Sequence, residues 1–275
     1  MNTTVFINNM GQITLSDKNY IASGGEAAIY NKNNMALKIY HHPSKMIDEE
    51  KIKELTKISS SNVLKPKNLI YQNNVAVGYT MDYKRNTYPS CKLFTNGFKN
   101  KHNVTNDKIT NLIKIMIETV QSIHDSNCLI VDLNELNILI SPRFKIPYFI
   151  DVDSYQTPSF KATALMESIR DHTICNNNFS EMSDWYSLAI IAFQMYIGIH
   201  PYRGRHPDYA PNEWSKRMEH GISVFNSNVS LPRVCNDFSV IPELYLKWFK
   251  DLFINNNRSI PPVIDEVMSL ETPDV

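Results

Sequence analysis

No C-x-x-C pair occurs in this chain, no long apolar run is uninterrupted, and neither sign of charge is in excess. Its four cysteines, Cys91, Cys128, Cys175 and Cys235, are scattered. That argues against a structural zinc site and suits reduced thiols in a cytosol. The longest apolar stretch, residues 188–199, is broken by Gln194 and Gly198 and is too short to span a bilayer. The opening MNTTVFINNMGQITL lacks the charged-then-apolar layout of a secretion signal. With 28 basic and 28 acidic side chains, bulk charge points to neither a nucleic-acid nor a membrane partner. No internal repeat or low-complexity tail is visible. The expectation is a soluble, cytoplasmic chain.

What is present is enough length for a sizeable core, 275 residues, with 43% hydrophobic and 20% charged side chains. Residues 3–40 alternate short β-type runs with Asn/Gly turns, which reads as a small antiparallel sheet. NKNN between Tyr30 and Met35 predicts a tight hairpin, and NLIYQNNVAVGYTMDY predicts two strands around an Asn-Asn turn. Helical spacing predicts a helix over 44–59, with Ser44 as its N-cap. A second helix over 106–126 has Ile109, Leu112, Ile113, Met116, Val120 and Ile123 on one face. Residues 184–197, 241–254 and 261–270 read as further helices. The fold class is therefore α+β: a β-rich part over 1–82 with one helix, then a mainly helical part over 83–275, with a cleft between them.

The most informative residues are Asp132 and Asn137, in IVDLNELNILI (130–140), and Asp151, in YFIDVDS (148–154). Each sits beside apolar, strand-forming residues. An unpaired carboxylate in such a setting is costly, so acids there are best explained as facing a cleft and ligating something.

D-x-x-x-x-N followed about fourteen residues later by I-D resembles the catalytic loop and metal-binding segment of the protein-kinase fold. IASGGEAAIY (21–30) resembles its Gly-rich loop, and ALKIY (36–40) its third-strand lysine motif. GYTMDY (78–83) resembles the strand entering the hinge. SDWYSLAIIAFQMYIGIHPYRG (183–204) and NNNRSIPP (255–262) resemble the long C-lobe helix with its following turn and the late arginine segment. The likeness runs over roughly residues 15–270. It implies a bilobal fold, small β-rich N-lobe and larger helical C-lobe, that binds ATP and Mg2+.

Residue by residue, the resemblance makes Lys38 the lysine on the α- and β-phosphates and Asp132 the general base toward a substrate hydroxyl. Asn137 and Asp151 become the Mg2+ ligands. Ala22, Ser23, Gly24, Gly25, Ala36, Met81, Asp82, Tyr83 and Leu139 would surround the nucleotide. Glu50 is the expected partner of Lys38, with Glu54 next; if Leu55 is the apolar spine residue, the pairing position falls on Lys51. Asp184, opening the long helix, would brace the catalytic loop by hydrogen bonding.

The chain also departs from the family pattern. Ile130-Val131 replaces His-Arg before the candidate base, which removes the usual partner of an activation-loop phosphate. Thr157, Ser159, Thr163 and Thr173 are accordingly not expected to be required phosphosites. Asn134, in the catalytic set, replaces the lysine two residues after the base, a loss of roughly ten- to a hundred-fold in rate. Asp151-Val152-Asp153 replaces D-F-G and lacks its glycine hinge; Ala22 and Ala27 take two glycine-loop positions. No A-P-E occurs between Asp153 and Asp184, although Arg258 stands where its partner would be.

DLNELN, IDVDSYQ and the DWYSLA helix are similar to a bacterial and phage group of Ser/Thr kinase-like proteins. Some are fused to helix-hairpin-helix modules and others are encoded beside metal-dependent protein phosphatases. Such a phosphatase is the counterpart this resemblance implies, with a protein as substrate; DNA binding is not implied. Richness in Asn, Lys and Ile suggests an AT-rich bacterial or phage genome, hence a host cytoplasm if phage-encoded. Lys84, Arg85, Lys92, Lys99, Lys101 and His102, interleaved with Tyr88, Phe94 and Phe98, read as a solvated basic loop, the alternative being a polyanion strip. Three functions remain open: a Ser/Thr protein kinase with little activation-loop control, a pseudokinase scaffold, and a small-molecule kinase of the aminoglycoside type.

Overall fold

The computed structural model describes residues 3–162, 165–174, 176 and 178–264. Its first part is a seven-stranded sheet in the order β2-β1-β6-β7-β5-β4-β3. The strands are β1 (Thr3–Ile7), β2 (Gly11–Leu15), β3 (Tyr20–Ser23), β4 (Ala27–Lys32), β5 (Met35–Tyr40), β6 (Leu69–Gln72) and β7 (Val75–Asp82). Asparagine sets its hairpins. Asn33 and Asn34 join β4 to β5 at φ 52° and 64°, and Asn73 and Asn74 join β6 to β7 at φ 51° and 63°. Two-residue hairpin turns need positive φ at both positions, a conformation asparagine tolerates better than most side chains. The expected hairpins are therefore present.

Alternation along β5 aims the site. Leu37 and Ile39 enter the apolar cluster of Val5, Ile7, Leu15, Ile70 and Val77. Lys38 and Tyr40 consequently face the other way, where Tyr40 packs with Ala27 and Tyr79. Gly78 on β7 makes this close pairing possible: a Cβ there would lie 2.0 Å from the Lys38 carbonyl oxygen.

The first helix starts later than its sequence pattern predicts. Pro43–Lys45 forms a single 3-10 turn, and α1 runs Glu49–Thr56 behind an extended Asp48. Ser44 is therefore not its cap. Glu49 and Glu50 then occupy the first turn, next to the positive end of the helix dipole. Lys51, Glu54 and Leu55 form the buried face of α1.

The second part contains β8 (Tyr88–Pro89), α2 (Asn96–Lys101), α3 (Asn106–His124), β9 (Ile138–Ile140), β10 (Pro147–Phe149), α4 (Glu181–Ile197), α5 (Trp214–Glu219) and α6 (Glu243–Phe253). Thr105 caps α3 by accepting from Lys108 N, and all six residues of the predicted apolar face are buried. α4 is buried almost all round and so forms the centre of this part. β9 and β10 form a hairpin whose open end holds Asn137 and Asp151. Leu64 N bonds to Phe149 O at 2.9 Å and ties this hairpin to the first part. Residues 261–264 are not helical, contrary to the pattern over 261–270; the remainder of that stretch lies outside the described residues.

The basic strip is not simply solvated. Lys99 is buried and donates to Met195 O, 3.0 Å away, near the C-terminal end of α4. Tyr88, Phe98, His102 and Phe144 form one aromatic cluster. No helix among the described residues is long and apolar enough to cross a membrane.

Candidate functional site

Lys38 meets two carboxylates across the cleft. Its Nζ lies 2.7 Å from Asp151 Oδ1 and 2.8 and 2.7 Å from the two oxygens of Asp153. Burial alone would depress the Lys38 pKa; the charges of Asp153 and Asp151 outweigh it and hold the ammonium above its ordinary value. Burial likewise pushes the Asp153 carboxyl up, but Lys38 and the hydroxyls of Tyr40 and Tyr79 bring it below the usual range. The site therefore carries a fixed ion pair. Asp151 adopts the left-handed region at φ 60°, and the 3-10 turn Val152–Ser154 follows it directly. This bend lets acids two residues apart reach the same ammonium.

Glu50 does not pair with Lys38. It is exposed, and its carboxylate lies 3.4 Å from Lys53. Glu54 turns elsewhere too, accepting from Ser159 N at 3.3 Å and Ser159 Oγ at 2.8 Å. The cause is helix phase: Leu55 is fully buried, which directs Lys51 toward the site. Lys51 Nζ donates to Asp153 O at 2.7 Å, and burial lowers its pKa.

Asp132, Asn134 and Asn137 form one hydrogen-bonded loop. Asn134 Nδ2 donates to Asp132 Oδ2 at 2.8 Å, while Asn134 Oδ1 accepts from Leu136 N at 2.9 Å and Asn137 N at 3.2 Å. Asn137 Nδ2 lies 3.4 Å from Asp132 Oδ2, and Asn137 O accepts from Ile150 N at 3.0 Å, beside Asp151. Asp184 holds the loop from below, accepting from Ile130 N and Val131 N, each at 2.8 Å. His124 Nε2 lies 3.0 Å from the same carboxylate. Burial raises the Asp132 pKa, aided by the Asp151 charge, against the lowering effect of donors from Met166, Asn134 and Asn137. A carboxyl shifted upward is suited to accept a proton.

The cleft between the two parts encloses about 1140 Å³. Ala22, Gly24 and Gly25 line its roof, and Ala36 and Lys38 its back. Met81, Asp82 and Tyr83 line the connection between the parts; Asn137, Leu139 and Asp151 line the floor. Ser23, Glu50, Asp132 and Asn134 are not among the lining residues. Ser23 instead faces His41, 3.1 Å from its Nε2. Gly24 and Gly25 leave open space where a side chain would be, with nothing nearer than 4.0 Å.

Asp132 is screened by the chain itself. Met166 N donates to its Oδ1 at 2.6 Å. The segment carrying Met166 is anchored further on by Asp171, which accepts from Arg258 Nε at 2.6 Å and Nη2 at 2.7 Å. Arg258 also stacks 4.2 Å from the Tyr186 ring centroid. Asp171 is thus the acid paired with Arg258, a partner the sequence left unassigned. Sequence reasoning missed it, along with the roles of Asp153 and Tyr40, and put Lys51 at the pairing position only as the alternative that follows if Leu55 is the buried apolar residue. The only signal for Lys51 was the conflict of helix phase at Leu55.

No protein-family model matches the chain, and no curated protein matches it. The functional reading therefore rests on the geometry of the cleft.

Proposed function

We propose that this chain has a bilobal protein-kinase-like fold and is an ATP- and Mg2+-dependent phosphotransferase acting on Ser/Thr of a protein. One observation carries the reading. Lys38 from the sheet and Asn137 and Asp151 from the helical part line one cleft, with Lys38 paired to Asp151 and Asp132 hydrogen-bonded to Asn137 behind that lining. A buried lysine and a set of oxygen donors around a volume of this size suit a triphosphate.

The donor set also suits magnesium. Among the described residues, no group of three or more His, Cys, Asp and Glu could hold a metal by itself. Mg2+ characteristically takes one or two protein oxygens and completes its shell with water and substrate phosphate. Asp151, whose side chain is 42% exposed, and Asn137 would be those ligands. Bound there, the ion would neutralise phosphate charge. Lys38 would hold the nucleotide phosphates, and the Asp132 carboxylate would take the hydroxyl proton once Met166 N yields its place to substrate.

The test is incubation of the purified chain with labelled ATP and Mg2+, alongside Asp132→Ala and Lys38→Ala. Label incorporated into protein by wild type and lost in both variants supports the reading; equal labelling in all three refutes it. A second reading, a nucleotide-binding scaffold, is favoured by the occupation of both Asp132 oxygens by the chain's own donors. Thermal stabilisation by ATP without any transfer would establish that alternative.

A further inference from the structure

We propose that the carboxylate orienting Lys38 is that of Asp153, on the loop of the candidate metal ligand Asp151, and that α1 contributes Lys51 as a clamp on that loop. The inference rests on the nucleotide-cleft reading for its consequence, though not for its geometry. It makes Asp153 and Lys51 positioning residues that act through Lys38.

Three observations carry it. Both oxygens of Asp153 lie within 2.8 Å of Lys38 Nζ, whereas Asp151 offers only one. The Asp153 side chain is 5% exposed and also accepts from Tyr40. Its lone pairs are therefore committed to protein donors, which leaves it a fixed anchor. Asp151, 42% exposed, is the partner free to exchange Lys38 for other ligands.

The acids of α1 have other work. Glu50 faces solvent and Glu54 holds Ser159. The position that points at the site carries a cation, Lys51, whose Nζ grips the main-chain oxygen of Asp153. Charge has been exchanged between helix and loop: the loop supplies the anion, and the helix supplies the cation that holds the loop. An incoming phosphate can then displace Asp151 from Lys38 while Asp153 keeps the ammonium aimed into the cleft. Orientation of Lys38 does not require α1 to present an acid.

The experiment is a charge relocation. Asp153→Gly, Lys51→Glu and the double variant are compared with wild type for ATP affinity by calorimetry, with and without Mg2+. Each single variant should bind about ten- to a hundred-fold more weakly, the effect of losing a charge-assisted hydrogen bond. The double variant, with its acid back on α1, should recover most of the loss. Affinity unchanged in folded Asp153→Gly, or a double variant no better than the singles, overturns the assignment. If Asp153→Gly does not fold, Tyr40→Phe, which removes one donor to the anchor, should give a loss of a few-fold; wild-type affinity there overturns it equally.

A second readout separates this proposal from the nucleotide reading. Labelling of Lys38 by an amine-reactive reagent, followed by mass spectrometry, needs no ATP. Lys38 should be protected in wild type, exposed to reagent in Asp153→Gly and protected again in the double variant, with Lys53 as the exposed control. Should wild type bind no ATP at all, the nucleotide reading fails while this pattern still decides the role of Asp153. Equal labelling across the series refutes it.

Discussion

Asp184 holds Val131 in a left-handed backbone conformation: the Val131 amide donates to Asp184 Oδ1 at 2.8 Å while its φ is 63°. A β-branched residue in that region is a strained outlier, at a cost of order 1–3 kcal/mol. The compensation is a buried carboxylate that also accepts from Ile130 N at 2.8 Å, two charge-assisted bonds directly before Asp132. Replacing Asp184 by Asn leaves one acceptor oxygen for two N–H groups. Asp184→Asn is expected to lower stability by about 2–3 kcal/mol and to slow transfer by displacing Asp132. Denaturant unfolding measures the first and initial rates the second. A variant as stable as wild type would mean the strain is balanced elsewhere.

The Asp171–Arg258 pair gives a pH dependence with a definite sign. Burial would raise the Asp171 pKa, but the Arg258 bonds and charge, with Thr173, bring it below the ordinary value. A carboxyl depressed in the folded state stabilises above its unfolded pKa, about 3.9, and loses that contribution as pH falls through the folded value. Asp171→Asn should therefore cost about 3 kcal/mol at neutral pH, and the gap from wild type should begin to narrow below about pH 4 and go on narrowing as pH falls through the lower folded value. Arg258→Lys should recover little, since lysine offers neither the bidentate fork nor the stack on Tyr186. Urea midpoints across that pH range test this; a gap that widens toward acid would contradict it.

What was legible in the sequence was local. Asn33–Asn34 and Asn73–Asn74 specify their hairpins through backbone chemistry, and the buried face of α3 follows from its 3.6-residue period. Where local signals competed, the reading slipped: Ser44 looks like a helix cap, yet it lies in a 3-10 turn and the helix waits for Asp48. Lys38, Asp132, Asn137 and Asp151 could be named because their spacing resembles a known pattern. That Lys38 pairs with Asp151 and Asp153 could not be read, because these lie 113 and 115 positions away along the chain. Periodicity reports which way a side chain points, not what it meets. Asp171 was hidden for the same reason, 87 positions from Arg258.

Asn134 illustrates a substitution whose meaning changed with structure. As a replacement for lysine it reads as a lost charge. In the loop its Oδ1 accepts from Leu136 N and Asn137 N while its amide donates to Asp132. A lysine has no acceptor, so Asn134→Lys would leave the Leu136 and Asn137 N–H groups without their acceptor in a part-buried turn. It is expected to reduce stability by about 1–3 kcal/mol and to give no gain in transfer rate. Thermal melts with parallel rate measurements decide the matter; faster transfer with an unchanged melt would restore the lost-charge view.

Phosphorylation at Ser159 should not activate. Ser159 Oγ donates to Glu54 Oε1 at 2.8 Å and its amide lies 3.3 Å from Oε2, so a phosphate would set two or nearly two negative charges against a buried carboxylate. Thr173 is committed to Asp171, 2.7 Å away, and Thr157 is buried; Thr163 lies outside the described residues. Ser159→Ala keeps the amide donor and should leave transfer within about two-fold, because the lost hydroxyl bond to the Glu54 carboxylate costs about 1.5–3 kcal/mol of stability but touches no reacting group. Ser159→Glu should instead release this segment from α1, speeding limited proteolysis between Asp153 and Met166. Activity that rises on phosphorylation or in Ser159→Glu would show that the Glu54 contact restrains the site, and the segment would then have to be read as an inhibitory strap.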